Sequence, residues 1–177
     1  MKIGEVEIPN TFDELTIKQF DALNTIEADS QLSSMEKWIS KFVYLGVPED
    51  SFDDMLIDEL EETVAEFNKG FAVMPNEKTM SIEIDGYTYQ SKERIGAKDF
   101  SLIEKAWKTD TKNFSKRAMA VLFKRTDLSR TEHYTNAHLK HKEALFESQP
   151  CKIAVPYLNE IIEQITKNTE KIVSDTE

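Results

Sequence analysis

The chain has a single cysteine, Cys151, among 177 residues. It cannot build an internal disulfide framework, and such usage fits a reducing cytoplasm. No motif places a His, Asp or Asn beside it, so the thiol reads as packed rather than nucleophilic. Glycine is also scarce: with five in the chain, backbone-lined anion cradles have little to be built from. The motifs that would use them are missing too. There is no Gly-rich phosphate loop, no GxSxG, no HExxH and no CxxC pair. No stretch approaches the roughly 18 consecutive apolar residues of a membrane span. The opening MKIGEVEIPN has no apolar core, so no signal peptide is expected.

Positive charge is short in one half only. The formal net charge is −11, but residues 1–79 hold 18 acidic and 6 basic side chains, whereas residues 80–177 hold 15 and 16. Between Glu49 and Glu66 stand nine carboxylates and no basic residue. Such a run is usually a solvated outer face, and it suits a helix N-terminus. Alternatively Asp53, Asp54, Asp58, Glu59, Glu62 and Glu66 form a docking surface for a basic partner.

What remains is an ordinary folding composition, 40% hydrophobic and 31% charged. Capping boxes mark helix starts at Thr11 with Glu14, Thr16 with Gln19, Ser33 with Glu36 and Asp58 with Glu61. Apolar stripes follow: Ile17, Phe20, Leu23 and Ile26; then Met35, Trp38, Ile39, Phe42 and Val43; then Ile57, Leu60, Val64 and Phe67. Gly46 and Gly70 close the second and third of these helices. Residues 2–8 alternate well enough for a short edge strand. Later helices are read in AKDFSLIEKAWKT, with Phe100, Ile103, Ala106 and Trp107 inward, and in NFSKRAMAVLFKR, with Phe114, Ala118, Val121 and Leu122 inward. A polar helix, NAHLKHKEALFES, follows a loop. The last helix starts near Pro156 on a stripe of Leu158, Ile161, Ile162, Ile165 and Ile172, and SDTE is a frayed tail.

One stretch breaks the helical pattern. In IEIDGYTYQ, apolar residues alternate on both sides of Asp85-Gly86, the dipeptide suited to a type I′ turn. Ile82, Ile84, Tyr87 and Tyr89 share one face, and Ser81, Glu83, Thr88 and Gln90 the other. A lone hairpin is barely stable in water, so its apolar face must lie on helices. Its edge is a structural brace or a place for strand addition. The expected fold is therefore mainly α: a bundle-like domain in two lobes with one inserted hairpin at about residues 80–91. The division falls into an acidic helical lobe, 1–70, and a hairpin-bearing helical lobe, 71–177, or one continuous domain.

Candidate chemistry is thin. His133, His138 and His141 cluster, but on a polar helix beside Lys140 and Lys142, short of a zinc ligand set. Adjacent carboxylates such as Asp53 and Asp54 point about 100° apart on a helix and need not converge. From Lys92 to Arg125 there are ten basic and four acidic residues. Arg117 and Lys124, seven apart, share a face, with Trp107, Phe114 and Phe123 interleaved. That resembles a nucleic-acid reader, yet the overall acidity argues against one. A better use for the basic stretch is to meet the acidic first half, within one molecule or between two.

The order of parts resembles a known family. An N-terminal IP precedes DELTIKQFDAL, WISKFVYLGVPED and an acidic helix; then come IEIDGYTYQ, AKDFSLIEKAW and RAMAVLFKR. This is similar to small proteins encoded among the structural genes of tailed bacteriophages, described as tail-assembly-chaperone-like or as minor virion components. The resemblance spans most of residues 6–125. It implies a helical fold with a small hairpin and binding to other phage subunits in the host cytoplasm, without catalysis or cofactor. It also admits a component kept in the virion, packaged cargo included, or self-association. A different class, an acidic regulator that competes with nucleic acid for a basic protein, stays open beside it.

Overall fold

Thr16 and Ser33 each supply a capping box, and each opens a helix. In α1 (Ile17–Ala28) the Thr16 hydroxyl accepts the Gln19 N–H at 3.2 Å while Gln19 accepts the Thr16 N–H at 2.9 Å. In α2 (Ser34–Tyr44) Ser33 and Glu36 do the same at 3.3 and 2.8 Å. The computed structural model describes residues 1–128 and 135–174, with side chains in the last helix as far as 168. His133 and the tail at 175–177 lie outside the described residues, as does the side chain of the stripe position Ile172.

Thr11 with Glu14 makes a turn instead of a helix. Thr11 still accepts the Glu14 N–H, but the Glu14 carboxylate reaches back to Asn10. The backbone here is committed elsewhere. Cys151 N donates to Leu15 O at 2.7 Å, Lys152 N to Phe12 O at 2.9 Å and Ile17 N to Gln149 O at 2.8 Å. The segment 12–17 is thus laced to 149–152, and Phe12, Leu15 and Ile17 are buried. The predicted edge strand at 2–8 is likewise a two-residue ladder, β1 (Lys2–Ile3) on β2 (Val6–Glu7), reversed at Gly4.

α3 (Ile57–Lys69) starts two residues earlier than the Asp58–Glu61 reading. Its cap is Leu56, whose N–H donates to Glu59 at 2.9 Å. Ile57 consequently faces out, 60% exposed, while Leu60 and Phe67 are buried. Met35 on α2 also points outward, at 39%. Phe42 is fully buried, its ring against Trp38, Phe52 and Phe67. Gly46 ends α2 at φ 107, the left-handed region that glycine tolerates. Gly70 has an ordinary φ of −67, and its need is proximity: a Cβ there would stand 1.7 Å from the Asn10 carbonyl oxygen.

The hairpin forms as read. β3 (Ser81–Ile84) pairs with β4 (Tyr87–Ser91), Ile82 opposite Tyr89 and Ile84 opposite Tyr87. Asp85 and Gly86 have φ of 51 and 76, both positive as a type I′ turn requires. What the sequence did not disclose is a third strand. The helix read through NFSKRAMAVLFKR stops at Leu122 (α5, Phe114–Leu122), and β5 (Phe123–Arg125) pairs antiparallel with β4. The hairpin is therefore part of a three-stranded sheet in the order β3-β4-β5.

α4 (Ala97–Thr109) precedes α5, and α6 (Asn136–Glu147) and α7 (Val155–Ser174) complete the chain. α5 is buried almost all round, from Ala118 to Leu122 without a break, so it is the centre of the core. The buried apolar side chains, from Ile3 to Ile165, form one cluster that takes in residues from both halves. The molecule is mainly α with two small antiparallel sheets. α6, read as polar, buries Lys142 and Glu143 beside Leu139 and Phe146. Lys142 Nζ donates to the Phe123 carbonyl at 2.6 Å, which covers the outer edge of β5 with a charged group.

Candidate functional site

Three surfaces collect the residues that can do something. The first is the acidic stretch. Asp53, Asp54, Asp58, Glu59, Glu62 and Glu66 are all exposed, at the start and along the outer face of α3. Among the described residues only Glu66 of the nine carboxylates forms an ion pair, with Lys69 at 2.7 Å. Glu59 also serves the Leu56 cap. Within this field stand two large apolar side chains, Leu56 at 66% and Ile57 at 60% exposure. Sequence reading had Ile57 inward, since its spacing to Leu60 and Val64 fits a stripe. The start of α3 rotates it out.

The second surface is the sheet and its basic surroundings. Glu83 and Gln90 are exposed on the polar face, Thr88 and Lys124 half-buried, and Lys124 lies opposite Gln90 on β5. Arg117 and Lys124 share no helix face, because the helix ends between them. Arg117 is engaged by Glu143 of α6, so it is a tie between helices and not a free cation. Lys116 pairs with Glu147 at 2.9 Å, Lys92 with Asp99 at 2.8 Å, and Arg125 with Asp127 at 2.6 Å. Half of the basic stretch is thus paired within its own half, Lys108 with Glu104 included, and among the described residues none of it forms an ion pair with the run from Glu49 to Glu66. Arg125 also lies over the Tyr87 ring, 3.8 Å from its centroid, so the 45% exposed ring has a cation on one face.

The third surface was not read from the sequence. A groove of about 370 Å³ runs between one face of α1 (Phe20, Asn24, Ala28) and one face of α7 (Val155, Leu158, Asn159, Ile162). The start of α5 floors it, and Trp107 and Met74 stand at its rim, 37% and 52% exposed. Trp107 was expected inward with Ile103 and Ala106; instead one edge packs on Phe114, centroids 4.9 Å apart, and the rest faces the groove.

Asp21 is the one charged residue among the groove's lining. It is 3% exposed, yet both oxygens are used: Oδ1 accepts the Ser115 N–H at 3.0 Å and Oδ2 the Lys116 N–H at 3.3 Å. It caps α5 from a different helix, because Asn113, the local cap position, provides no side-chain bond. Burial pushes its carboxyl up to about 6, a rise that the Ser115 and Lys116 hydrogen bonds and the Lys116 charge only partly offset. A second recess, which shares Asp21 and Thr25 with the groove, is lined by Lys18, Lys112 and Lys116.

Cys151 is fully buried, its Sγ 3.4 Å from the Phe12 carbonyl, and burial pushes the thiol up to about 12. That suits packing and not nucleophilic work. Among the described residues no three His, Cys, Asp or Glu side chains gather as a metal site. His138 lies half-buried and His141 exposed on α6. No described helix is long and apolar enough to cross a membrane. Set against family models, curated proteins and solved structures, the chain matches none.

Proposed function

We propose that this chain works by contact with other proteins: a non-enzymatic assembly factor of a tailed bacteriophage that holds another phage subunit in the host cytoplasm before it is built in. The observation that carries the reading is the pair Leu56 and Ile57, exposed amid carboxylates of which, among the described residues, only Glu66 has an ion-pair partner. Two large apolar side chains kept in water, framed by charge of one sign, suit a partner surface with an apolar pocket and a basic rim. The unneutralised charge speeds the encounter and the apolar pair holds it. In this reading residues 1–70 act as the docking lobe and residues 71–177 as the lobe carrying the sheet, on a common core.

The test is site-specific photocrosslinking from positions 56 and 57 in cells producing particles. Adducts to a virion subunit support the reading; adducts to nothing, or to unrelated host proteins alone, end it. Mass spectrometry of purified particles then separates its two forms. Abundant copies identify a retained component or cargo, and absence identifies a transient chaperone. An acidic regulator would instead crosslink to a DNA-binding protein and compete with DNA in a salt-sensitive way.

A further inference from the structure

The three-stranded sheet is closed along one edge and open along the other. Lys142 bonds the Phe123 carbonyl at the outer edge of β5, whereas β3 has a strand beside it on one side only. The hairpin fixes which way the β3 main chain points. Ser91 N donates to Met80 O at 2.9 Å. With the two-residue turn at Asp85-Gly86, this makes Ile82 with Tyr89 and Ile84 with Tyr87 the pairs that exchange hydrogen bonds. The N–H and C=O of Ser81 and Glu83 therefore point away from β4, and among the described residues nothing bonds them there. Both residues are exposed. Donors and acceptors alternating along such an edge are matched by another extended chain.

We propose that this extended chain is β3 of a second copy, paired antiparallel about a two-fold axis at Ile82. The choice follows from what each two-fold register brings together. With Ser81 opposite itself, Glu83 would need Thr79, whose carbonyl is taken up by the Tyr157 hydroxyl at 2.9 Å. With Glu83 opposite itself, two carboxylates face each other, and Ser81 would need Asp85, which is bent into the turn at φ 51. Centred on Ile82, Ser81 of each copy meets Glu83 of the other. Every outward N–H and C=O of Ser81 and Glu83 is then used, and no like charges are opposed. The same register sets Ile82 against Ile82 and brings Met80, 53% exposed, opposite Ile84. Lys142 blocks the far edge at β5, so the assembly closes at two copies instead of growing into a filament. The net charge of −11 opposes the meeting of two copies, which makes the pair weak and strengthened by salt. The inference does not draw on Leu56 and Ile57; it adds a self-contact to the partner contact there.

Analytical ultracentrifugation of the full chain from about 10 to about 500 µM should show a dimer fraction that rises with concentration and with added salt. Glu83→Pro removes an N–H that the single molecule does not use, at an edge position where proline is tolerated. It should abolish the dimer and leave the circular dichroism spectrum unchanged. Cysteine crosslinking under mild oxidation reads the register, since the native Cys151 is buried. Ile82→Cys lies on the two-fold axis and should crosslink to its own copy about fivefold or more faster than Ser81→Cys, although position 81 is the more exposed. That comparison decides even where Glu83→Pro fails to fold. A chain that stays monomeric throughout, a dimer that survives in folded Glu83→Pro, or crosslinking as fast from 81 as from 82 would overturn the assignment. So would a monomeric chain in which Glu83→Pro removes contacts to a virion subunit, an outcome that gives the edge to a partner's strand. Adducts from positions 56 and 57 that persist beside any of these failures leave the protein-binding reading standing and remove only the paired sheet.

Discussion

Asp21 gives the sharpest test of the structure because its sign runs against that of most carboxylates. Its ordinary value of 3.8 rises to about 6 in the fold. That difference of about 2 units corresponds to about 3 kcal/mol, at 1.36 kcal/mol per unit. The folded state therefore binds more protons than the unfolded state between about pH 4 and pH 6. The group's contribution to stability is fully present below about pH 4 and is lost as pH rises through about 6. Glu27, held down by Lys41, and Glu36, held down by Ser33, act in the opposite sense at lower pH. Comparison with Asp21→Asn cancels them, since both proteins share them. The amide cannot titrate, and it accepts one N–H where the carboxylate accepts two. Urea unfolding followed by circular dichroism at pH steps from 4 to 7.5 should show wild type losing about 2.5 kcal/mol relative to the variant across that window, since part of the change already lies below pH 4. A difference that stays constant with pH would mean that burial does not outweigh the hydrogen bonds to Asp21, and the desolvated placement of this carboxyl would have to be abandoned.

Other perturbations test other parts. Gly70→Ala should destabilise by about 1–3 kcal/mol or more, since its Cβ would meet a main-chain oxygen and not a movable side chain; unchanged thermal unfolding would refute the close approach to Asn10. Gly86→Val, at φ 76 with open space around it, should cost about 1–3 kcal/mol through backbone strain alone, read as a lower urea midpoint at constant m. Phe42→Ala should cost about 3–5 kcal/mol, because the ring is fully buried among three other aromatics. Trp107→Ala, at 37% exposure, should cost distinctly less; an equal loss would place that indole deeper than the structure does.

Much of the local structure is legible where a short-range bond decides it. Thr16 with Gln19, Ser33 with Glu36, and the Asp85-Gly86 turn need only neighbours within three or four residues, and each forms as read. Thr11 with Glu14 has the same signature and fails, because Phe12 and Leu15 give their carbonyls to residues about 140 positions away. β5 was hidden for another reason. The run AMAVLF is buried on every side, so it carries no period to separate helix from strand, and pairing with β4 makes the choice. Of the residues singled out for binding, the acidic set and Glu83, Gln90 are exposed, whereas Arg117 is consumed by Glu143. The groove and Asp21 left no trace in the sequence. A carboxylate on α1 that caps α5 is indistinguishable, residue by residue, from one that faces water.

The lacing of residues 12–17 to 149–152 has a consequence for how the molecule comes into being. Synthesis runs from the amino end, so Phe12, Leu15 and Ile17 leave the ribosome long before their hydrogen-bonding partners exist. Most of the polypeptide must be made before this seam can close, and contacts of such long sequence separation slow the final step. Until then the nascent chain carries its own uncovered apolar segment, and it is in that interval, more than after completion, that it is exposed to aggregation or to capture by a holdase.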